Sequence, residues 1–232
     1  MPSFPRTVAG TRPIALSSST QSQVYALFAL AMALTTAGVF LGMQYAEAIF
    51  SSGWSLFFLV AELILIFTAR LWMDRSPLNI ILFGAFPLLS GVTVTPYLIA
   101  VLTGYANGGA ILFNAVLATT FMAGAAAIFA STTKWDLSFL GRVLLLMLLG
   151  LLFFGILQIF FASLRTTGME MVLSGLSIVL FAVFTAYDVQ RIQRLARLGA
   201  NPFLMALSLY LDIFNLFLSI LRFMVAVSGN RR

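Results

Sequence analysis

The chain contains no cysteine and no histidine. The first absence removes disulfides, thiol nucleophiles and thiolate metal sites; the second removes the commonest general base and metal ligand. Charge is scarce as well, at 9% of 232 residues, where a soluble domain carries roughly 25%. A water-facing globular surface cannot be built from that supply, so the solvent of this chain is lipid. In place of charge there is apolar sequence: 61% of residues are hydrophobic and mean hydropathy is +1.05. The apolar runs are continuous, unlike the alternating segments of roughly 10 residues that build a transmembrane barrel. Each is near the length of about 20 residues that a helix needs to cross a bilayer. An all-α membrane protein is therefore expected.

Residues 1–23 are rich in Ser, Thr and Pro and read as a flexible polar tail. Seven apolar runs follow, at Val24–Tyr45, Trp54–Met73, Leu78–Leu102, Gly109–Ala130, Gly141–Leu164, Met171–Asp188 and Pro202–Val227. They define one transmembrane domain over 24–228, with a short basic tail at 229–232. The first run is too long for a signal-peptide core and is expected to be retained as a span. Short connections favour a single bundle. Pro87, Pro96, Gly84 and Gly91 predict a kink in the third run. Gly108, Gly109, Gly124 and the alanines from Ala123 to Ala127 predict close helix approach in the fourth.

The net charge of +6 fits topology better than nucleic acid. With the N-terminus cytoplasmic, the inner segments hold Arg6, Arg12, Arg75, Lys134, Arg142, Arg191, Arg194 and Arg197, and the outer connections hold only Arg165. Seven crossings then put the C-terminus, with Arg231 and Arg232, outside. That placement runs against the same rule and leaves open a last segment that re-enters.

Four of the seven acids, Glu47, Asp74, Asp136 and Glu170, read as solvated residues of connections. The other three lie in apolar runs: Glu62 in the second, Asp188 at the end of the sixth and Asp212 deep in the seventh. A charge at the bilayer centre costs about 2.5–3.5 kcal/mol or more, so each should be neutral, paired or facing water. Ser208, Asp212, Asn215, Ser219 and Arg222 recur every three or four residues and share one helix face. Ser174, Ser177, Thr185 and Asp188 make a similar stripe, interrupted by Phe181. Both stripes should face inward, toward each other. Arg70, at about the depth of Asp188, is the natural cation for the cluster. It follows Glu62 by eight residues, a rise of about 12 Å, too far for a pair within one helix. Plainer readings stand beside these: Arg70 snorkelling to headgroups, Asp188 paired with Arg191 at i+3, and Asp212 as a neutral acid bonded between helices. Two acids meeting in low dielectric cannot both ionise freely, so such a pair is expected to share protons and respond to pH. Its oxygens suit Ca²⁺ or protons and not soft metals. Asp188 and Asp212 are thus candidate Ca²⁺ ligands, and no resident cofactor is expected.

At these residues the sequence resembles the Bax inhibitor-1 (transmembrane Bax inhibitor motif) family, specifically its bacterial YccA-like members. The matching blocks are Ala61-Glu62-Leu63 with Ala69-Arg70, Ser90 to Pro96, Thr132 to Leu137, Ala186-Tyr187-Asp188-Val189-Gln190, and Ala206 to Leu218. The last two are specific, because each joins an aromatic residue and an acid inside an apolar helix in fixed order. The resemblance covers roughly residues 24–225. It implies seven helices with the last near the centre of the bundle, in a bacterial inner membrane. It also implies a cation leak, chiefly of Ca²⁺, controlled by Asp188 and Asp212 with Arg70 bonded to them in the closed form. Val189 stands where many bacterial relatives carry Thr, and the N-terminal tail lacks the usual acidic lead-in.

A pH-sensitive calcium leak channel is therefore the leading expectation, not an enzyme, with Glu62, Ser208 and Asn215 as further gate or pathway residues. The resemblance also implies an alternative, regulation of a membrane-bound AAA protease, which needs no interior charge. Intramembrane aspartyl proteolysis would likewise use acids on successive helices. The intramembrane aspartyl protease family surrounds its second acid with glycines, where this chain has Leu209-Tyr210-Leu211-Asp212.

Overall fold

Helix starts are written into the chain by side-chain caps. In a computed structural model that describes residues 19–51 and 54–229, Ser19 accepts a hydrogen bond from the Ser22 N–H and opens α1 (Thr20–Gln44). A short α2 (Ala46–Ser51) leads to α3 (Trp54–Phe67) and α4 (Ala69–Trp72). Then come α5 (Leu78–Gly104), α6 (Gly108–Thr132) and α7 (Leu140–Phe160). Thr166 caps α8 (Thr167–Ala196) by accepting from the Met169 N–H. Asn201 caps α9 (Pro202–Ser228) by accepting from the Phe203 N–H, with Pro202 in the first turn, where a missing N–H costs nothing. At its far end Gly229, at φ 55°, takes the left-handed conformation that closes a helix. No β-strand occurs among the described residues.

Six helices are long and apolar enough to cross a membrane: α1, α5, α6, the stretch Leu137–Gln158 that includes most of α7, α8 and α9. The chain is a multi-pass, all-helical membrane protein. The expected second crossing is the exception, because its run is divided at Thr68. There the Thr68 hydroxyl bonds the Ile64 carbonyl at 2.6 Å, and the next backbone bond tightens to Leu71 N–H onto the Thr68 carbonyl. Such local bonds compete with the regular helix ladder. The sixth run also differs: hydropathy ends it at Asp188, whereas α8 continues two turns further, to Ala196. Glu170, read as part of a connection, lies in the first turn of α8, and Glu47 lies in α2. The expected tails at 1–23 and 229–232 fall mostly outside the described residues, as do Arg6, Arg12, Arg231 and Arg232.

The centre is occupied by α9. More than half of its most apolar stretch is buried, against 6% for the fourth candidate crossing, which contains most of α7. It packs on α8, α1, α6 and α5, while α3 lies mainly on α5 and α7 mainly on α8. One apolar cluster, including Trp72, Met73, Phe83, Val189, Ile192 and Met205, fills the end at which α8 turns into α9. A second, including Leu98, Val101, Ile111, Leu216 and Leu221, fills the opposite end.

The closest helix contact is not on α6, where the sequence put it. Gly109 and Gly124 face open space, and Gly108 is crowded only by the α5 backbone at the adjoining turn. Instead Gly38 and Gly42 of α1 meet Gly91 and Thr95 of α5. A Cβ on Gly38 would strike the Leu88 carbonyl, and one on Gly91 the Thr35 carbonyl. Gly91 therefore serves packing. Pro87 and Pro96 both lie inside α5, which is assigned as one helix across them.

Candidate functional site

Because α8 and α9 run antiparallel in close contact, an acid two turns before the end of α8 meets one nearly three turns into α9. Asp188 is 3% exposed and Asp212 is 7% exposed. Their carboxyl groups lie within hydrogen-bonding reach of each other, and the Ser208 hydroxyl stands beside Asp188. The Asp212 Oδ2 atom is buried without a hydrogen-bond partner. An orphaned carboxyl oxygen is costly in an apolar interior, so this atom is poised to accept a proton or a cation. Among the described residues no third acid joins the pair into a metal-holding group. Two carboxyl groups and a hydroxyl offer fewer oxygens than the six to eight that surround Ca²⁺.

The cation at this site is Arg191, not Arg70. Arg191 Nη1 lies 3.4 Å from Asp188 Oδ1, three residues on along the same helix. Arg70 is exposed on α4 and makes no ion pair among the described residues. The physical reason is the continuation of α8 past Asp188, which brings a guanidinium onto the same face one turn away. Arg70, beyond the helix break at Thr68, is exposed.

Glu62 is not brought to the pair either. It is half-buried on α3 and accepts from the Thr93 hydroxyl of α5 at 2.8 Å. The Ser90 hydroxyl lies within reach of both Glu62 and Tyr210, and the Tyr210 hydroxyl is 2.8 Å from Thr35 Oγ1 on α1. A line of hydroxyls thus crosses from α3 through α5 and α9 to α1. Nothing in the local sequence around Glu62 announced it, since its members come from four segments. Asn215 is half-buried and bonds the Leu211 carbonyl of its own helix. The two polar stripes do meet: Ser174 and Ser177 of α8 line one cavity with Asn215, Ser219 and Arg222 of α9.

Two residues beyond Asp188, Gln190 fastens the connection between α6 and α7 onto α8. Its Oε1 accepts from the Leu137 N–H and its Nε2 donates to the Trp135 carbonyl, both at 2.8 Å. Sequence reasoning gave Gln190 no role. Asp136 in this connection accepts from the Ser138 hydroxyl and backbone N–H, with Arg194 at 3.4 Å. Those two Ser138 bonds, with Arg194 adding to them, hold its carboxyl below the usual aspartate range.

Comparison with known proteins covers nearly the whole described chain. Residues 18–230 match the family described as "Inhibitor of apoptosis-promoting Bax1". Protein lifeguard 4 of Mus musculus is 33% identical over 211 residues, covering 89% of this chain and 84% of its own. An uncharacterised protein of Campylobacter jejuni is 33% identical over 205 residues, covering 86% and 84%. Inner membrane protein YbhL of Escherichia coli is 26% identical over 247 residues and aligns along the full length of both chains.

Proposed function

Since the chain belongs to the Bax inhibitor-1 (transmembrane Bax inhibitor motif) family, we propose that it is a pH-sensitive cation leak, chiefly for Ca²⁺, gated by the Asp188 and Asp212 carboxyl pair. The observation that carries this reading is the buried Asp212 carboxyl, one oxygen of which has no hydrogen-bond partner, within reach of a second acid across the α8–α9 seam. Two acids within hydrogen-bonding reach share protons as one coupled group, so the free charge available to a passing cation depends on pH. Arg191 supplies the positive charge that balances Asp188 when no ion is present. Ser208, half-buried beside Asp188, is a further oxygen on the ion's way.

In this reading α3 and α4 together make a seventh crossing. The end that carries Arg75, Lys134, Arg142, Arg191, Arg194 and Arg197 faces the cytoplasm, in an inner membrane like that named for YbhL. No catalytic step is assigned. α9 is unbroken from Pro202 to Ser228, leaving no loosened backbone at Asp212 where a peptide substrate would unwind.

The test is Ca²⁺ flux in dye-loaded proteoliposomes across a pH series. Asp188→Asn and Asp212→Asn should each change the flux and its pH dependence, and the double variant should show less than the sum of the two, as for a coupled pair. Wild-type vesicles as tight as protein-free lipid at every pH would remove the leak. Recovery of an AAA protease in pull-downs by wild type and by both aspartate variants alike would then favour a regulatory role.

A further inference from the structure

The polar face of α9 does not stop at Asp212. Asn215, Ser219 and Arg222 continue it toward the end where α8 begins, each a turn further on. Beneath α7, Ser174 and Ser177 of α8 join them around a cavity of about 340 Å³. Beside it, at the same end, lies a second cavity of about 390 Å³, lined by Tyr97 of α5, by Tyr105 just beyond that helix, and by Arg165, Thr166 and Thr167. Two charged side chains belong to both cavities, Glu170 and Arg222. They share this space without an ion pair among the described residues, and Tyr97 is within electrostatic reach of both. The first cavity is apolar along α7 and largely polar where α8 and α9 line it; polar groups facing a cavity in a lipid-embedded bundle call for water, and each volume has room for several molecules.

We propose that the two cavities form one water-filled vestibule entering the bundle from the end where α8 begins, and that Glu170 and Arg222 at its narrowing set which sign of ion travels on toward Asn215 and Asp212. The role in ion passage rests on the leak proposed above; the vestibule itself does not. Arg222 opposes a cation on this route and Glu170 attracts one. The Asp188 and Asp212 gate is then approached through an electrostatic filter about two to three turns of α9 away. α7 is the outer wall, and its loose seating on α8 leaves the space beneath it unfilled.

The absence of cysteine makes the test clean, because a single introduced thiol is the only one. Ser177→Cys on α8 and Ser219→Cys on α9 are placed separately in full-length protein in proteoliposomes. Each is treated with membrane-impermeant methanethiosulfonates, one cationic and one anionic. Leu198→Cys, exposed at the opposite end, reports which face is outward. The vestibule thiols should react from the face opposite to that of Leu198→Cys. The ratio of cationic to anionic rates should rise roughly fivefold to tenfold on Arg222→Gln and fall by a similar factor on Glu170→Gln, the scale of one unit charge at a few ångströms in a partly wet cavity. Two thiols that react only from the Leu198 face, or from neither, would overturn the vestibule. A ratio unmoved by both charge variants would overturn the filter. Labelling needs no ion flux: reactive thiols in vesicles that stay tight to Ca²⁺ would sink the leak and keep the vestibule. Leaking vesicles with unreactive thiols would do the reverse.

Discussion

Gly91→Ala should destabilise the bundle more than any other single methyl addition at a glycine of α5, α6 or α7. A Cβ at this position would lie 2.8 Å from the Val39 nitrogen and 2.9 Å from the Gly38 Cα, and nearer still to the Thr35 carbonyl. All three are backbone atoms of α1, which cannot rotate away as a side chain would. Ordinary contact begins at 3.4 Å, so α1 and α5 must part by an appreciable fraction of an ångström along their seam. The loss of close contacts around one overpacked site is about 1–3 kcal/mol. For a chain of this length that corresponds to a fall in apparent Tm of roughly 2–12 °C, read in detergent by unfolding fluorescence. Gly38→Ala should fall in the same range. The double variant should cost less than the sum, because helices already forced apart by one methyl accept the second more cheaply. Gly124→Ala, at a position facing open space, is the control and should match wild type. A Gly91→Ala protein as stable as Gly124→Ala would refute the seam.

Three further outcomes follow from named contacts. Tyr210→Phe removes the bond to Thr35 and should cost about 1 kcal/mol, measurable in the same unfolding assay. Gln190→Ala deletes both bonds to the connection before α7 and should raise hydrogen exchange over 133–139 without disturbing α1 or α5. Asp136 is held below its ordinary value of 3.8. Its contribution is therefore fully present above that pH and is lost as pH falls through the lower folded value, so exchange in 133–139 should rise only at strongly acid pH. Ser138→Ala should bring that onset to higher pH, and an onset unchanged by the substitution would show that the Ser138 hydroxyl bond does not set it.

The acids were legible because charge is expensive in lipid. Asp188 and Asp212 stand out in apolar runs, and helical spacing alone put each on a polar face. Their cation was harder to read. Two cations were open to Asp188, Arg191 at i+3 as the plainer partner and Arg70 at a similar depth, and the continuation of α8 past Asp188 carries Arg191 to the same face. Arg70 matched in depth, but depth along a helix says nothing of which way a side chain points, and Arg70 is exposed. The glycine seam was misplaced for a related reason: α1, α5 and α6 all carry small residues, and only the tertiary arrangement determines which of them touch. The partners of Glu62 could not be read locally at all, since Thr93 and Ser90 reach it from another helix.

The placement of α9 at the middle of the bundle bears on how the protein is made. Synthesis proceeds from the N-terminus, so α9 leaves the ribosome after every helix it packs against. Until then α1, α5, α6 and α8 have no central post to close upon, and Asp188 sits in a half-assembled bundle without the carboxyl it will face. Biogenesis must therefore keep four inserted helices soluble in lipid and unclosed until the last one arrives, and a nascent chain stalled before Pro202 is a natural substrate for membrane quality control.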